Sequence, residues 1–304
     1  MLEWEPAVTA VPGLSVRAQT QLLGLNRSSL YYRSVPPSSE ELLLKRRIDE
    51  IYTARPFYGS RRITVQLQQE GQQVNRKAVI RHMREMGLAA IVPGPHLSRG
   101  SKRAVDSKYP YLLRGVVAQY PNHVWGVDLT YVRMKGDYPG WLYLVAVLDW
   151  HSRYIVSWEL SQNMGQGFVM EAARAALTRA TPLIWNSDQG SHFTSPQYTG
   201  LLEAAGVQVS MDGRGRFVDN IFTERLWRTI KYEEVYLHEY CSPKEARHSL
   251  GEYIHFYNHE RPHQALDYQT PAAVYCRVAS LATATVTPIT KGGNLTLENA
   301  SQWS

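Results

Sequence analysis

The sequence contains very little cysteine. Only Cys241 and Cys276 occur in 304 residues. A disulfide framework and a cysteine-based zinc site both need several sulfur ligands, usually paired at close spacing, so this composition excludes both. The chain must therefore fold by apolar packing, and it fits a reducing, cytoplasmic compartment.

Long hydrophobic runs are also missing. The longest, Trp141 to Leu148, has the length of a strand, whereas a membrane helix needs roughly 18 apolar residues. Glu3 and Glu5 precede only short apolar stretches, so no secretory signal is predicted. Hydrophobic residues nevertheless make up 44% of the chain. We expect a protein with a sizeable core, two or three structural units and no membrane partner.

Acidic residues are scarce in the first part of the chain. Residues 1–118 contain 18 Lys plus Arg and 9 Asp plus Glu, whereas the whole chain contains 33 and 27. A basic front half joined to a mildly acidic back half fits a module that grips phosphates, followed by one that concentrates carboxylates. A solvated basic surface is the simpler alternative.

The front half has helical patterns. Residues 1–38, with Ser15 as a candidate N-cap and Gly24 as a turn, predict a helix-turn-helix segment. Residues 39–91 predict a helical DNA-binding domain, although a plain helical bundle would give the same pattern. Residues 92–118 predict a basic linker that tracks DNA. The candidate DNA-binding residues of these segments are Arg76, Lys77, Arg81, Arg84, Lys102 and Arg103.

From residue 119 the pattern changes to β-rich runs. VWGVDLTYVRM, WLYLVAVLDW and YIVSWEL predict three sequential antiparallel strands. Alternating helical and strand patterns follow and end in a long helix, NIFTERLWRTIKYEEVYL, which gives the order βββαβαβα. We predict an α/β catalytic domain over residues 119–275 and a poorly ordered, Thr- and Ser-rich tail over 276–304.

Three carboxylates occupy separate elements of that order. Asp128 lies in the first strand, Asp188 at the end of the fourth, and Glu224 in the first turns of the late helix. Singly, each has an ordinary structural explanation: a strand-edge Asp, an Asx-turn and a surface Glu. A carboxylate in a buried strand is costly unless a cation compensates it, and oxygen ligands suit Mg²⁺ or Mn²⁺. Together the three acids predict a site for two such ions and phosphoryl transfer.

Four longer motifs carry a family resemblance: WGVDLTYV, NSDQGSHFTS, DNIFTERLWRTIKYEEVYL and YNHERPHQALDYQTP. On these, the chain resembles transposases of the insertion-sequence family usually numbered three, whose catalytic cores are retroviral-integrase-like. The resemblance implies an RNase H-like core preceded by an all-α helix-turn-helix DNA-binding region. It also implies that Asp128, Asp188 and Glu224 form the DDE triad, because the 35 residues between the last two are characteristic of this family.

Two basic residues follow the glutamate of this triad. Arg228 and Lys231 lie four and seven residues after Glu224, which places all three on one face of a continuous helix. In the family, the matching lysine binds the transposon end, so both are candidate DNA-binding residues. A surface ion pair between Glu224 and Arg228 is the alternative for the arginine. For Trp227, packing into the core is favoured over base stacking.

The resemblance implies metal-dependent cleavage at transposon ends to free a 3′-hydroxyl, followed by strand transfer of that hydroxyl into DNA. Its implied partners are double-stranded DNA, as terminal inverted repeats and target, and further copies of the chain in a homodimer or higher oligomer. A bacterial, nucleoid-associated location follows. Two competing functions stay open: a nuclease that cleaves without joining, and a non-enzymatic regulator that binds transposon ends.

Two features of related proteins are missing from the sequence. The zinc module of viral integrases is absent, since no cysteine precedes Cys241, and the chain has no leucine-zipper heptads near its start. Family members commonly gain a helix-turn-helix and zipper from an upstream reading frame. An upstream-frame protein of that kind is therefore a further possible partner, either separate or fused.

Overall fold

The structure, a computed structural model, describes residues 14–24, 26, 37–91, 109–135, 140–212 and 221–284. Its contacts divide the chain into two compact units. The first comprises Met1–Pro56 and Asn75–Ala89, and the second comprises Phe57–Val74 and Ala90–Ser304. The second helix of the predicted front segment and the linker residues Lys102 and Arg103 lie outside the described residues.

The first unit is helical. It contains α1 (Val16–Leu22), α2 (Ser39–Ala54) and α4 (Arg76–Glu85). Each helix begins at a side-chain N-cap, as the sequence predicts for two of them: Ser15, Ser38 and Asn75 each accept a hydrogen bond from a backbone N–H three residues ahead. Its core consists of side chains at helical spacing on α2 and α4. These are Ile48, Ile51, Val79 and Met83.

The second unit combines α3 (Ser60–Gln69) with the predicted α/β order. Its strands are β1 (Val124–Met134), β2 (Gly140–Asp149), β3 (Ile155–Ser161), β4 (Ile184–Ser187) and β5 (Gln208–Met211). Its intervening helices are α5 (Gln166–Arg179), α6 (Pro196–Ala204) and α7 (Ile221–Ile230). The order βββαβαβα is therefore confirmed.

One mixed sheet holds these five strands in the order β3-β2-β1-β4-β5. The first three strands are antiparallel, and β4 runs parallel to both β1 and β5. Side chains alternate between the two faces of a strand. Trp125 and Val127 of β1 share a buried cluster with α5 and α6, whereas α7 contacts β1 at Gly126, on the other face.

The predicted late helix is interrupted. Regular α-helix ends at Ile230, and a π-helical turn covers Lys231–Val235. Two further helices follow that the sequence analysis did not predict, α8 (Pro243–His259) and α9 (Pro271–Ala284), with a short 3₁₀ turn at Gln264–Leu266 between them. Helix α9 crosses position 276, the predicted start of the tail. None of the helices in the described ranges is long and apolar enough to span a bilayer.

Candidate active site

The strand register brings two of the predicted acids together. In the parallel pair of β1 and β4, Trp125 lies opposite Trp185 and Gly126 opposite Asn186. Asp128 lies two residues after Gly126 in β1. Asp188 lies two residues after Asn186, just beyond the end of β4. Side chains two residues apart on a strand point to the same face. Asp128 therefore shares with Gly126 the face that α7 contacts, and Asp188, just beyond the carboxyl end of β4, is near enough for its charge to act on Asp128.

Asp128 is tied into this face by two hydrogen bonds. The Leu129 N–H donates to its Oδ1 at 2.7 Å, and the Trp227 indole N–H donates to its Oδ2 at 2.9 Å. Burial, together with the nearby charges of Asp188 and Glu224, raises the pKa of Asp128 to about 7, even though the two hydrogen bonds lower it. Among the residues that the structure describes, none therefore neutralises the negative charge at this position.

Asp188 lies in the exposed turn after β4. Its Oδ1 accepts a 2.8 Å bond from the Gly190 N–H, which is the Asx-turn that the structural alternative predicts. A side chain at Gly190 would place its Cβ 2.9 Å from that oxygen, so a larger residue there would displace the Asp188 carboxylate. The side chains of Asn186 and Gln189 both donate hydrogen bonds to Asp212, at 2.7 and 2.8 Å, and so hold the turn in place.

Glu224 reaches the site from the first turn of α7, which rests closely on the sheet. A Cβ at Gly126 would lie 2.3 Å from Trp150 Nε1 and 3.1 Å from Thr223 Oγ1, so only glycine permits this contact. Phe222 is held by the ring of Trp150 and by the guanidinium of Arg153, whose centre lies 3.5 Å from its centroid. The carboxylate of Glu224 stays exposed, and partial burial raises its pKa.

The predicted basic residues take different positions. Arg228 is exposed on α7, and within the described chain it forms no ion pair with Glu224, so the structural alternative does not account for it. Lys231 is half-buried in the first residue of the π turn. Burial lowers its pKa, and the charge of Asp128 opposes that shift. Lys231 therefore lies within electrostatic reach of the acids.

The donor set suits a hard cation. Three carboxylates match the oxygen coordination of Mg²⁺ or Mn²⁺. Their oxygens do not all lie within 4.8 Å of one another, since only Glu41, His82 and Glu85 form such a trio among the described residues. The three acids therefore do not form one tight cluster.

The chain is similar to known proteins over most of its length. The "Integrase core domain" family matches residues 118–216 and 205–271, and the "HTH-like domain" family matches residues 38–96. The transposase for insertion sequence element IS904 of Lactococcus lactis is 34% identical over 219 residues, covering 70% of this chain and 85% of the relative. The chain belongs to the insertion-sequence transposases with an integrase core. It is thus an enzyme of DNA transposition, of the DDE transposase and integrase class.

A second relative comes from the group that the sequence resembles. Transposase InsF of insertion sequence IS3A from Escherichia coli is 30% identical over 212 residues, covering 68% of this chain and 72% of the relative. Among solved structures, the HTLV-2 integrase catalytic core in complex with magnesium covers 52% of this chain and 99% of its own, with 18% identity and a TM-score of 0.44. Integrase cores of this class generally use divalent metal.

Sequence reasoning missed what Trp227 does in this transposase core. The expectation of core packing is met, because the side chain is 7% exposed, but its N–H also fixes the carboxylate of Asp128. A signal was available, since Trp227 lies three residues after Glu224 and so shares its side of a helix. Asp149, by contrast, is structural: it accepts bonds from Asn122 and twice from Ser152.

The predicted DNA-binding residues of the helical unit lie on one element, α4. Asn75 caps this helix, and Val79 and Met83 are buried. The four basic residues are exposed on it, and Arg81 is 3.6 Å from Glu85. They are Arg76, Lys77, Arg81 and Arg84.

Proposed function

We propose that Asp128, Asp188 and Glu224 hold two divalent ions, Mg²⁺ or Mn²⁺, for cleavage at transposon ends and strand transfer. The observation that supports this proposal is that pairing of β1 with β4 brings the end of β4 beside β1, and that the charges of Asp188 and Glu224 both act on Asp128. When bound, such ions activate an attacking oxygen and stabilise a leaving one. Asp128, whose pKa is about 7, supplies a carboxylate that a cation would keep ionised.

The chain's own residues divide the remaining work. Trp227 holds one Asp128 oxygen in place, and the Gly190 N–H does the same for Asp188. Lys231 and Arg228 contact phosphates of the DNA end, because both are basic and close to Glu224 along the chain, and Lys231 lies near Asp128. The first strand cut frees a 3′-hydroxyl, which the same site then directs at a second phosphodiester.

The basic surface of α4 grips double-stranded DNA at the terminal repeats. Arg76, Lys77, Arg81 and Arg84 present charge from one helix, and phosphate contacts of this kind fix register and orientation on a duplex. Pairing two transposon ends calls for at least a homodimer. An upstream-frame protein with a zipper, separate or fused, would supply further end binding.

Labelled transposon ends incubated with Mg²⁺ test the proposal. Wild-type protein should give nicks at the terminus and joined products, whereas Asp188→Asn should give neither while still binding the ends. Glu252→Gln, an exposed acid of α8, is the matched control and should behave like wild type. Cleavage by Asp188→Asn would remove the assignment. Nicks without joints in the wild type would identify a cleavage-only nuclease instead.

A further inference from the structure

Two buried glutamates follow Lys231 almost directly. Glu233 is 9% exposed and Glu234 is 5% exposed, and both belong to the π turn that begins at Lys231. The turn is closed by the Tyr236 N–H, which donates to the Lys231 carbonyl at 2.8 Å. Short π-helical segments are rare and frequently lie at functional sites. The backbone that carries Lys231 is therefore part of an unusual, fixed turn.

Three side chains from outside the π turn contact Glu233. Arg261, after α8, binds it in a bidentate pair, with Nε 2.7 Å from Oε2 and Nη2 2.6 Å from Oε1. The Tyr253 hydroxyl of α8 donates to it at 2.8 Å, and Arg62 of α3 lies 3.1 Å away. Burial raises the pKa of Glu233, but the two guanidinium groups more than offset this, so its pKa is lowered. It is a fully ionised, fully partnered buried acid.

Glu234 anchors the same turn on another side. It accepts hydrogen bonds from the hydroxyl of Tyr240, at 3.0 Å, and from that of Ser249. Because neighbouring glutamates are held by different partners, the turn cannot rotate without breaking one set. Lys231 is thereby held at one orientation relative to the sheet.

Stability alone does not explain such a cluster of buried charged side chains. Buried ion pairs add little net free energy relative to apolar packing, whereas they do specify one geometry. A bidentate arginine–carboxylate pair fixes the plane of the carboxylate as well as its distance. Positioning is thus the better physical explanation for a cluster placed two residues from Lys231.

We propose that Glu233, clamped by Arg62 and Arg261, is a positioning residue that holds Lys231 beside Asp128 for contact with the DNA end. Glu233 does not itself touch DNA; it acts through the backbone of the π turn. The inference rests on the proposed function, in which Lys231 binds a phosphate near the cut. Arg62 lies within residues 38–96, so the region matched by the HTH-like family supplies part of the clamp.

A double-mutant cycle tests the coupling. Arg62→Ala leaves Glu233 paired with Arg261, so the protein should still fold. Nicking of a labelled end by this variant should fall about tenfold. In a protein that already carries Lys231→Ala, adding Arg62→Ala should not reduce nicking further. Arg247→Ala, which removes an arginine–glutamate pair with Glu159 elsewhere on α8, is the control and should leave nicking unchanged. Independent, multiplicative losses from Arg62→Ala and Lys231→Ala would overturn the proposal.

Amine labelling gives a readout that does not need DNA cleavage. An amine-reactive reagent, mapped by mass spectrometry, should modify Lys231 faster in Arg62→Ala and in Glu233→Gln than in wild type or Arg247→Ala. Equal rates in Arg62→Ala and wild type would overturn the clamp, even if Glu233→Gln misfolds. If the wild type nicks no DNA, the proposed function fails, while the labelling result still decides whether Glu233 positions Lys231.

Discussion

Two clusters of acidic residues show how differently the chain treats negative charge. In the helical unit, Glu41 and Glu85 lie near buried His82, and Lys45 lies 3.0 Å and 2.9 Å from the two carboxylates. In the α/β unit, Asp128 and its two partner acids stand further apart, and among the described residues none of the three forms an ion pair. The tighter cluster is already neutralised, and the looser one is not.

The difference teaches that closeness alone does not mark a metal site. Lys45 occupies the place that a cation would take, and its own pKa is raised by hydrogen bonds to Glu85 and Glu41. Asp128 has only neutral hydrogen-bond donors, and burial with neighbouring acids raises its pKa to about 7. Buried negative charge that no described residue neutralises indicates the functional site, because an external cation would stabilise it.

The largest test of this comparison exchanges one acid in each cluster. Asp128→Asn should reduce end nicking by about 10³-fold or more, because it removes a charged oxygen ligand on which electrostatic catalysis depends. Glu41→Gln, in the neutralised cluster, should leave nicking within about twofold. Gel assays on labelled ends at fixed Mg²⁺ measure both. A comparable loss from the two changes would break the comparison.

Trp227→Phe should have a smaller effect of about tenfold on nicking at pH 7, because the ring is kept while the hydrogen bond to Asp128 is lost. The Trp227 hydrogen bond lowers the pKa of Asp128, so its loss should raise that pKa. The pH at which nicking activity increases should then be higher than in the wild type. A pH–rate profile from pH 6 to 9 measures the shift. Tyr253→Phe, which removes a donor to Glu233, should not move the profile.

Metal binding should depend on pH in a defined direction. The pKa of Asp128 rises from 3.8 in the unfolded chain to about 7 in the folded protein. Protonated Asp128 therefore favours the folded state below about pH 4, and this stabilisation is lost as the pH rises to 7. Chelated protein should therefore become less stable across that range. Mn²⁺ should stabilise it more at pH 8 than at pH 6, with about tenfold tighter apparent binding, in thermal-shift titrations. A response that survives Asp188→Asn would point to another site.

The smallest expected effect belongs to the surface of α4. Arg84→Ala should reduce the slope of log binding constant against log salt concentration by about one, since one phosphate contact is lost. Fluorescence anisotropy with a labelled end at several salt concentrations measures this. Glu70→Gln, an exposed acid after α3, should leave the slope unchanged. An unchanged slope for Arg84→Ala would exclude that residue from the DNA-binding surface.

The order of elements was predictable because the hydrophobic period changes from two to about 3.6 between strands and helices. Helix α8 could also have been found, since Ser242, Pro243 and Glu245 form an N-terminal capping pattern, and Ser242 does cap the helix. The π turn could not. Its residues are ordinary in a helix, and the partners that hold Glu233, such as Arg261 and Arg62, lie far from it along the chain.

The sequence by itself determined the α/β order, the three acids and the family to which the chain belongs, because these depend on local pattern and on motifs. Only the tertiary structure decided that Asp188 lies near Asp128, that Trp227 binds Asp128, and that Lys231 begins a clamped turn. Such contacts join residues about 60 to 170 positions apart. Burial and pairing set them, and no local pattern encodes either.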